Sequence, residues 1–516
     1  MPDISDSHYD SKPTRLYDIM AIAGCGVTLI LALVLGSFRA VGDFGVETDF
    51  YRDYAVQAEN ILAGRAYTYQ HHPPGYSILL AGVSLLSGDL FVAGKIISAF
   101  ATALFGLTMY GLLKALFDPR IALVSTILSL LALIPHSFFA ATDMVGALLM
   151  VLPLRILLTP PVLSLPLCLL TGVWAGAAYL VRSNGVSVIL GIGFSLLFIN
   201  LDHEDPRRRL VKFAFFACGA LLTVAPWLVV NWKTNGSPFA STAYLQIAAH
   251  FYYLTGDQQE TNLQQAALRF SSLWDVVLHD PARLLWRFVK AIFYENMIRF
   301  TIQGLTFPAY LFAGSGLLFL LREPSRKRLT FLVTCLAGYL LLGLVDFNLR
   351  FYLFLFPLFF GSVAYFFFHQ SVFLALGRIP VMGVAVGWLS VIVLAAFLSI
   401  NSYSVVKLTL AYEPRYLLEI ASFLRNRSTP GERIIVRKSN LAYLAGLKRV
   451  FPLASSSEDY LRAAREIGAR YIVYSDYEAS LWPGLRSLRS PDAIPDGFKL
   501  IYRHDPTRTF VYEIYP

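Results

Sequence analysis

The sequence predicts a polytopic α-helical membrane protein that carries a small α/β unit at its C-terminal end. Three observations lead there. Of 516 residues, 56% are hydrophobic and only 15% charged, against roughly 25% charged in soluble globular chains. The apolar residues are gathered in runs near the ~20 residues that a helix needs to cross a bilayer. After residue 402 these runs stop, and charge returns in alternating helix and strand patterns. The same composition excludes a disordered chain, a collagen-like chain and a disulfide scaffold.

Residues 1–18 are polar and mixed in charge, and read as a cytoplasmic tail. The run after them is too long for a signal-peptide core and has no clear cleavage site, so it reads as a retained anchor. The 20-residue criterion gives about eleven spans. They lie near 19–40, 90–116, 120–140, 144–159, 162–181, 185–201, 211–231, 303–321, 329–346, 351–369 and 379–401. Residues 76–88 (YSILLAGVSLLSG) are apolar but too short to span, which favours an interfacial helix. Only Arg182, Ser183 and Asn184 separate two of the spans, which implies a tight hairpin.

Short loops set the orientation. Arg15, Lys114, Arg120, the Arg207–Lys212 cluster, the Arg322–Arg328 cluster and Arg378 all fall on one side if the N-terminus is cytoplasmic. The net charge of +9 is therefore mainly a topology signal of a multi-pass plasma (inner) membrane protein, not a nucleic-acid surface. Cys25, Cys168, Cys218 and Cys335 lie within apolar runs and read as buried packing residues. An odd number of spans places 402–516 outside the cytoplasm. There 413–426 reads as a helix, 432–437 as a strand, 457–468 as a helix and 470–475 as a strand, and 498–502 with 509–515 form a terminal hairpin. No glycine-rich phosphate loop accompanies this pattern, so it is assigned no cofactor. The body of the molecule is then 19–401, with a first outer loop at 41–75 and a large outer loop at 232–302 that reads as a mobile cap over an acceptor site.

The first outer loop holds Asp43, Glu47, Asp49, Asp53 and Glu59, then His71 and His72 before a double proline. Asp49 and Asp53 are four apart and share a helix face. Tyr54, Ala58 and Leu62 form a parallel stripe, as on a helix lying along the membrane surface; a solvated acidic face gives the same pattern. Asp143 follows Thr142 where the chain re-enters the bilayer. A residue there either caps the helix or faces a wet cavity, and position alone supports both readings. Arg182 and Arg350 stand on the outer side, where the positive-inside rule disfavours cations. Snorkelling accounts for either one; planar donor pairs that hold an anionic lipid headgroup account for both.

These residues carry a family resemblance. Asp49 with Tyr54, Ala58 and Gly64 comes first, then His72-Pro73-Pro74-Gly75-Tyr76, Thr142-Asp143, Leu180-Val181-Arg182-Ser183-Asn184-Gly185, and Arg350-Phe351-Tyr352 with Pro357. In order and sidedness the sequence resembles the polyprenyl-phosphate-sugar-dependent glycosyltransferases of the GT-C fold class, near protein O-mannosyltransferases and lipid A aminoarabinose transferases. The resemblance implies sugar transfer from a lipid-linked phosphate donor to a hydroxyl of an envelope lipid, glycan or protein on the extracytoplasmic face. It implies Asp49 as catalytic base and Asp143 in a supporting or metal-binding role. Asp53, His71, His72, Tyr76, Arg182 and Arg350 then meet the substrates. It names no certain cofactor and allows a divalent metal. The sequence departs from the pattern at Phe50, where many relatives carry a second acid, which leaves the supporting role to Asp53 or Glu47. A lipid-carrier flippase would also need a polar cavity and arginines, but the sequence shows no inverted repeat and its ionisable residues gather at one face. A polysaccharide polymerase would share the loops and arginines but not this order of motifs.

Overall fold

The computed structural model describes residues 11–67, 72–253, 259–296, 298–299, 307–322, 325–368, 380–450, 457–476, 478, 487–488, 494 and 496–515. An apolar helix stands at each of the eleven positions expected from hydropathy. These are α1 (Ser11–Ser37), α4 (Leu90–Leu116), α5 (Pro119–Leu133), α6 (Asp143–Leu158), α7 (Leu165–Val181), α8 (Val186–Phe198), α9 (Pro206–Asn235), α14 (Phe307–Arg322), α15 (Arg326–Leu342), α16 (Phe356–Phe368) and α17 (Pro380–Ala411). Among the described residues, six helical segments are long and apolar enough to cross a membrane by length and composition. Between α1 and α4 lie α2 (Ala55–Leu62) and α3 (Gly75–Ser87). The connection from α9 to α14 carries α10 (Ala243–Tyr252), α11 (Gln259–Arg269), α12 (Leu273–His279) and α13 (Pro281–Lys290).

Helix starts are chemically marked. Asp89 accepts from the Val92 N–H ahead of α4, Asp118 from Arg120 and Ile121 ahead of α5, and Asp205 from Arg208 ahead of α9. These side chains satisfy donors that the first helical turn leaves open. The interfacial candidate is α3. It buries Tyr76, Ser77, Leu80, Ala81 and Ser84 and exposes Ile78, Leu79, Leu85 and Leu86, an apolar face turned outward.

The loop cations gather at one end of the bundle. Lys114 pairs with Asp18 at 2.6 Å, Arg328 donates to the Leu116 carbonyl, Lys327 to Pro160 and Arg326 to Asn200. Lys212 pairs with Asp202 and Glu204. One expectation fails: Cys218 is exposed, whereas Cys25, Cys168 and Cys335 are buried. Much of the apolar surface of α9 faces outward, and hydropathy weighs a lipid-facing thiol and a packed one alike.

The C-terminal unit is a five-stranded sheet in the order β2-β1-β3-β5-β4. Its strands are β1 (Arg433–Ile435), β2 (Lys448–Val450), β3 (Ala469–Tyr474), β4 (Phe498–His504) and β5 (Thr509–Ile514). β2, β1 and β3 are parallel, and β5 and β4 complete the sheet antiparallel. Helices α18 (Tyr416–Arg427) and α19 (Ser439–Ala445) cover one face, where Tyr471 and Val473 point, and α20 (Ser457–Glu466) covers the other, where Ile472 and Tyr474 point. The α19–β2 crossover is absent from the sequence reading, because a three-residue strand is too short for alternation to register.

This unit and the bundle together hold the segment between α1 and α2. On the sheet side, Glu413 accepts the Ala40 and Val41 N–H groups, and Asn440 donates to the Gly42 and Asp43 carbonyls at 3.0 Å each. Phe44 packs against the apolar cluster formed by α18, α19 and the sheet. On the bundle side, Arg39 grips Glu47 with two bonds of 2.8 and 2.5 Å, both side chains essentially inaccessible to solvent. Glu47 also accepts the N–H of Ala140, in the connection between α5 and α6, at 2.6 Å. Lys95 ties the carbonyls of Gly36 and Arg39 to α4.

Arg39→Ala removes the only cation bonded to a fully buried carboxylate among the described residues. It should destabilise the full chain by about 3–5 kcal/mol, and Arg39→Lys, lacking the two-pronged geometry, should recover only part. Thermal unfolding in detergent measures both. A loss below about 1 kcal/mol, the size of an exposed pair, would contradict this reading.

Candidate active site

The clamped segment leads into a π-helical turn at Phe50–Tyr54, which continues as α2. Phe50 and Tyr51 point inward and pack on Phe91, with ring centroids 5.7 and 6.0 Å apart. That anchoring turns Asp49 and Asp53 to the other side, where Arg52 reaches Asp49 at 3.5 Å and Asp53 at 3.1 Å. Asp53 is nearly inaccessible, with the His72 Nε2 at 3.7 Å from its carboxylate, whereas Asp49 is about one-third exposed. The Tyr54 ring stacks on His72 at 4.9 Å and meets the Tyr76 ring edge-on at 5.0 Å. Burial, and then the nearby Asp49 charge, push the Tyr54 hydroxyl well above its ordinary pKa, so it stays neutral.

The His-Pro-Pro-Gly-Tyr motif has a packing reason. A Cβ on Gly75 would lie 2.6 Å from the Leu180 carbonyl oxygen, so only glycine lets the start of α3 touch the end of α7. This contact sets His72 and Arg182, one on each side of it, at the same end of the bundle. Tyr76 is fully buried beneath Tyr54 and supports the site from behind instead of lining it. His71 lies outside the described residues.

Asp143 opens α6, but neither it nor Thr142 makes a side-chain cap; its carboxylate pairs with the Arg182 guanidinium. The cap that its position allowed is not formed, and the buried carboxylate is held by Arg182 instead. Arg182 crosses α6 at Gly146, where a Cβ would come within 2.5 Å of its Cδ. Arg182 and Arg350 both lie against the Phe351 ring, at 4.8 and 5.2 Å from its centroid. Arg350 also donates to the Val46 carbonyl at 2.9 Å and stands 3.9 Å from Asp49. It thereby joins the two halves of the site. Asp143, Arg182, Asn184, Arg350 and Phe351 line one small recess.

Seven of the eight sequence candidates thus fall at one end of the bundle, the end away from the loop cations. Glu47, the alternative to Asp53 as supporting acid, is taken up by Arg39 and faces away from the site. Asp49, Asp53 and His72 bring ligand atoms within 4.8 Å of one another, a donor set of two carboxylates and an imidazole that suits a divalent cation. Asp143 is not in that set. Sequence reasoning overlooked Arg52, although its place between two acids in DFYRD was a usable signal, and it overlooked Phe351 as the shared platform of the arginines.

Residues 71–231 match the model of the dolichyl-phosphate-mannose-protein mannosyltransferase family. No curated protein is similar to the chain by sequence. Among solved structures, ArnT from Cupriavidus metallidurans bound to undecaprenyl phosphate is 15% identical, with 95% of this chain and 97% of that chain covered and a TM-score of 0.59. The oligosaccharyltransferase AglB from Archaeoglobus fulgidus, in complex with an inhibitory peptide and a dolichol-phosphate, is 14% identical over 91% of this chain and 73% of that chain, with a TM-score of 0.58. The chain is therefore a multi-pass membrane protein with the GT-C fold, an architecture it shares with both of these proteins along nearly its whole length.

Proposed function

We propose that the chain is an integral membrane glycosyltransferase that moves a sugar from a polyprenyl-phosphate carrier to a hydroxyl of an envelope lipid, glycan or protein. One observation carries this reading: Arg350 stands 3.9 Å from the Asp49 carboxylate and shares the Phe351 ring with Arg182. A base and a pair of phosphate-type donors are thus adjacent within a fold that, in two solved relatives, is seen with a lipid phosphate. The basic loops at the opposite end support a cytoplasmic N-terminus, an extracytoplasmic site and C-terminal unit, and a place in the plasma (inner) membrane.

A glycosyl phosphate has a good leaving group, so the protein need not protonate it. Asp49, the more exposed carboxylate, takes the proton of the acceptor hydroxyl as its oxygen bonds to the anomeric carbon. The bond from that carbon to the phosphate oxygen breaks, and the electron pair leaves on the lipid phosphate. Arg350 and Arg182 stabilise that charge, with Arg182 oriented by Asp143 and Phe351. Attack opposite the departing phosphate inverts the anomeric centre. Asp53, held by Arg52 and His72, fixes the turn that carries Asp49. A divalent cation held by Asp49, Asp53 and His72 would supply further charge for the phosphate.

In proteoliposomes supplied with a panel of polyprenyl-phosphate sugars, Asp49→Asn should lower transfer at least about 100-fold. Undiminished transfer would overturn the assignment of the base. Arg182→Ala and Arg350→Ala should each lower transfer by about 100-fold or more. Arg182→Lys should not restore it, because a point charge cannot keep the planar contacts with both Asp143 and Phe351. Gly146→Val should displace Arg182 and reproduce the Arg182→Ala phenotype while the chain still folds, as thermal unfolding would report.

A further inference from the structure

A cavity of about 540 Å³ lies between α2, the α3–α4 turn, the first turns of α4 and α19 of the sheet unit. That volume is within the range of small-ligand sites. It is distinct from the site above, because Phe50 and Tyr51 form part of its wall whereas Asp49 and Asp53 do not line it. None of the roles derived so far uses this space.

Its lining carries three kinds of chemistry in separate places. Leu62 and Leu85 are exposed, 46% and 75%, and continue into exposed Leu86 and Val92 on helices of the membrane body. Five residues into α4, Lys95 is buried and spends two of its N–H groups on the Gly36 and Arg39 carbonyls. Arg39, only 3% exposed, gives its two outer nitrogens to Glu47, and its Nε has no hydrogen-bond partner among the described residues. Phe91 lies under both cations, 4.8 Å from Lys95 and 5.8 Å from Arg39. The N-terminus of α4 opens onto the same cavity, and there the Asp89 carboxylate already accepts the Val92 N–H at 2.8 Å. Two exposed carboxylates, Asp89 and Glu59, also line it, with Tyr443 of the sheet unit donating to Glu59 at 2.6 Å.

The cavity thus brings together two buried cations, Lys95 and Arg39, two exposed carboxylates, Glu59 and Asp89, and apolar side chains at its opening. A plain anionic headgroup would meet the two carboxylates, and a plain cation would meet Lys95 and Arg39. We propose that this cavity binds a phosphoethanolamine group, as carried by an aminophospholipid of the surrounding membrane. The phosphate sits beside Lys95 and Arg39, the ammonium donates to Glu59 and Asp89, and the acyl chains run along Leu85 and Val92. The proposal does not depend on the transfer reaction, and its test reads binding alone.

The test titrates the full chain in detergent with dihexanoyl phosphatidylethanolamine, the matching phosphatidylcholine and phosphatidylglycerol, and free O-phosphoethanolamine, following thermal stability. The ethanolamine lipid should bind about tenfold more tightly than the other three ligands, as charge-assisted hydrogen bonds from a primary ammonium allow. Glu59→Gln combined with Asp89→Asn keeps an acceptor for Tyr443 and a cap for α4 while removing both charges, and should abolish the preference. Equal affinity of the wild-type chain for the three lipids overturns the proposal without recourse to any variant. Preference retained in the double variant overturns the role of the carboxylates, and free O-phosphoethanolamine binding as tightly as the lipid overturns the lipid as its source.

Discussion

The Arg39–Glu47 pair is the contact on which the geometry of the site rests. The chain leaves α1 and must cross the end of the bundle before it reaches Asp49. A segment crossing a surface has many conformations, and ordering each residue costs roughly 1–2 kcal/mol. Here a buried guanidinium closes on a buried carboxylate eight residues on, and that carboxylate also takes the Ala140 N–H from the connection preceding Asp143. One side chain therefore fixes the acidic turn relative to the start of α6. Removing both charges from water is costly, and the two-pronged pairing together with the Ala140 bond offsets that cost.

The sheet unit acts on the same segment from the opposite side. In open α/β sheets, ligands gather beyond the carboxyl ends of parallel strands. In this protein the first turn of α19, the helix that follows β1, holds Asn440, which grips the Gly42 and Asp43 carbonyls, so the main chain of the first connection occupies that place. The absence of a glycine-rich phosphate loop from the sequence then has a physical sense, because the unit binds backbone where relatives of such sheets bind nucleotides. The arginines follow a related logic. Arg182 and Arg350 carry like charges in a confined recess, and their mutual repulsion is relieved by Asp143 on one, Asp49 beside the other and the Phe351 face between them.

Much of the architecture is legible in the residues. Helix positions follow from hydropathy because a bilayer imposes one length and one polarity on every span. Asp49, Asp53, Asp143, Arg182 and Arg350 stand out because ionisable residues at helix ends on the side poor in cations need a reason. Less is legible where two distant segments decide an outcome. Nothing local distinguishes Glu47 from Asp53, both acids in one short stretch, yet one is sequestered by Arg39 and the other faces His72. Asp143 reads equally as a cap or as a residue facing a wet cavity, and only the fold sets Arg182, 39 residues away, beside it. Cys218 differs from the buried thiols only by the side of α9 on which it stands.

By itself the sequence determined the membrane class, the places of the helices, the grouping of the basic loops and the residue types able to handle a phosphate and a hydroxyl. These are consequences of periodicity and of transfer from water, which each segment carries alone. The tertiary structure decided which acid Arg39 sequesters, which arginine is oriented by which carboxylate, and that the sheet unit and the bundle clamp one loop between them. It also decided that a second cavity, walled by the reverse of the acidic turn, exists at all. Such outcomes depend on pairings between segments far apart in the chain, and no local pattern encodes them.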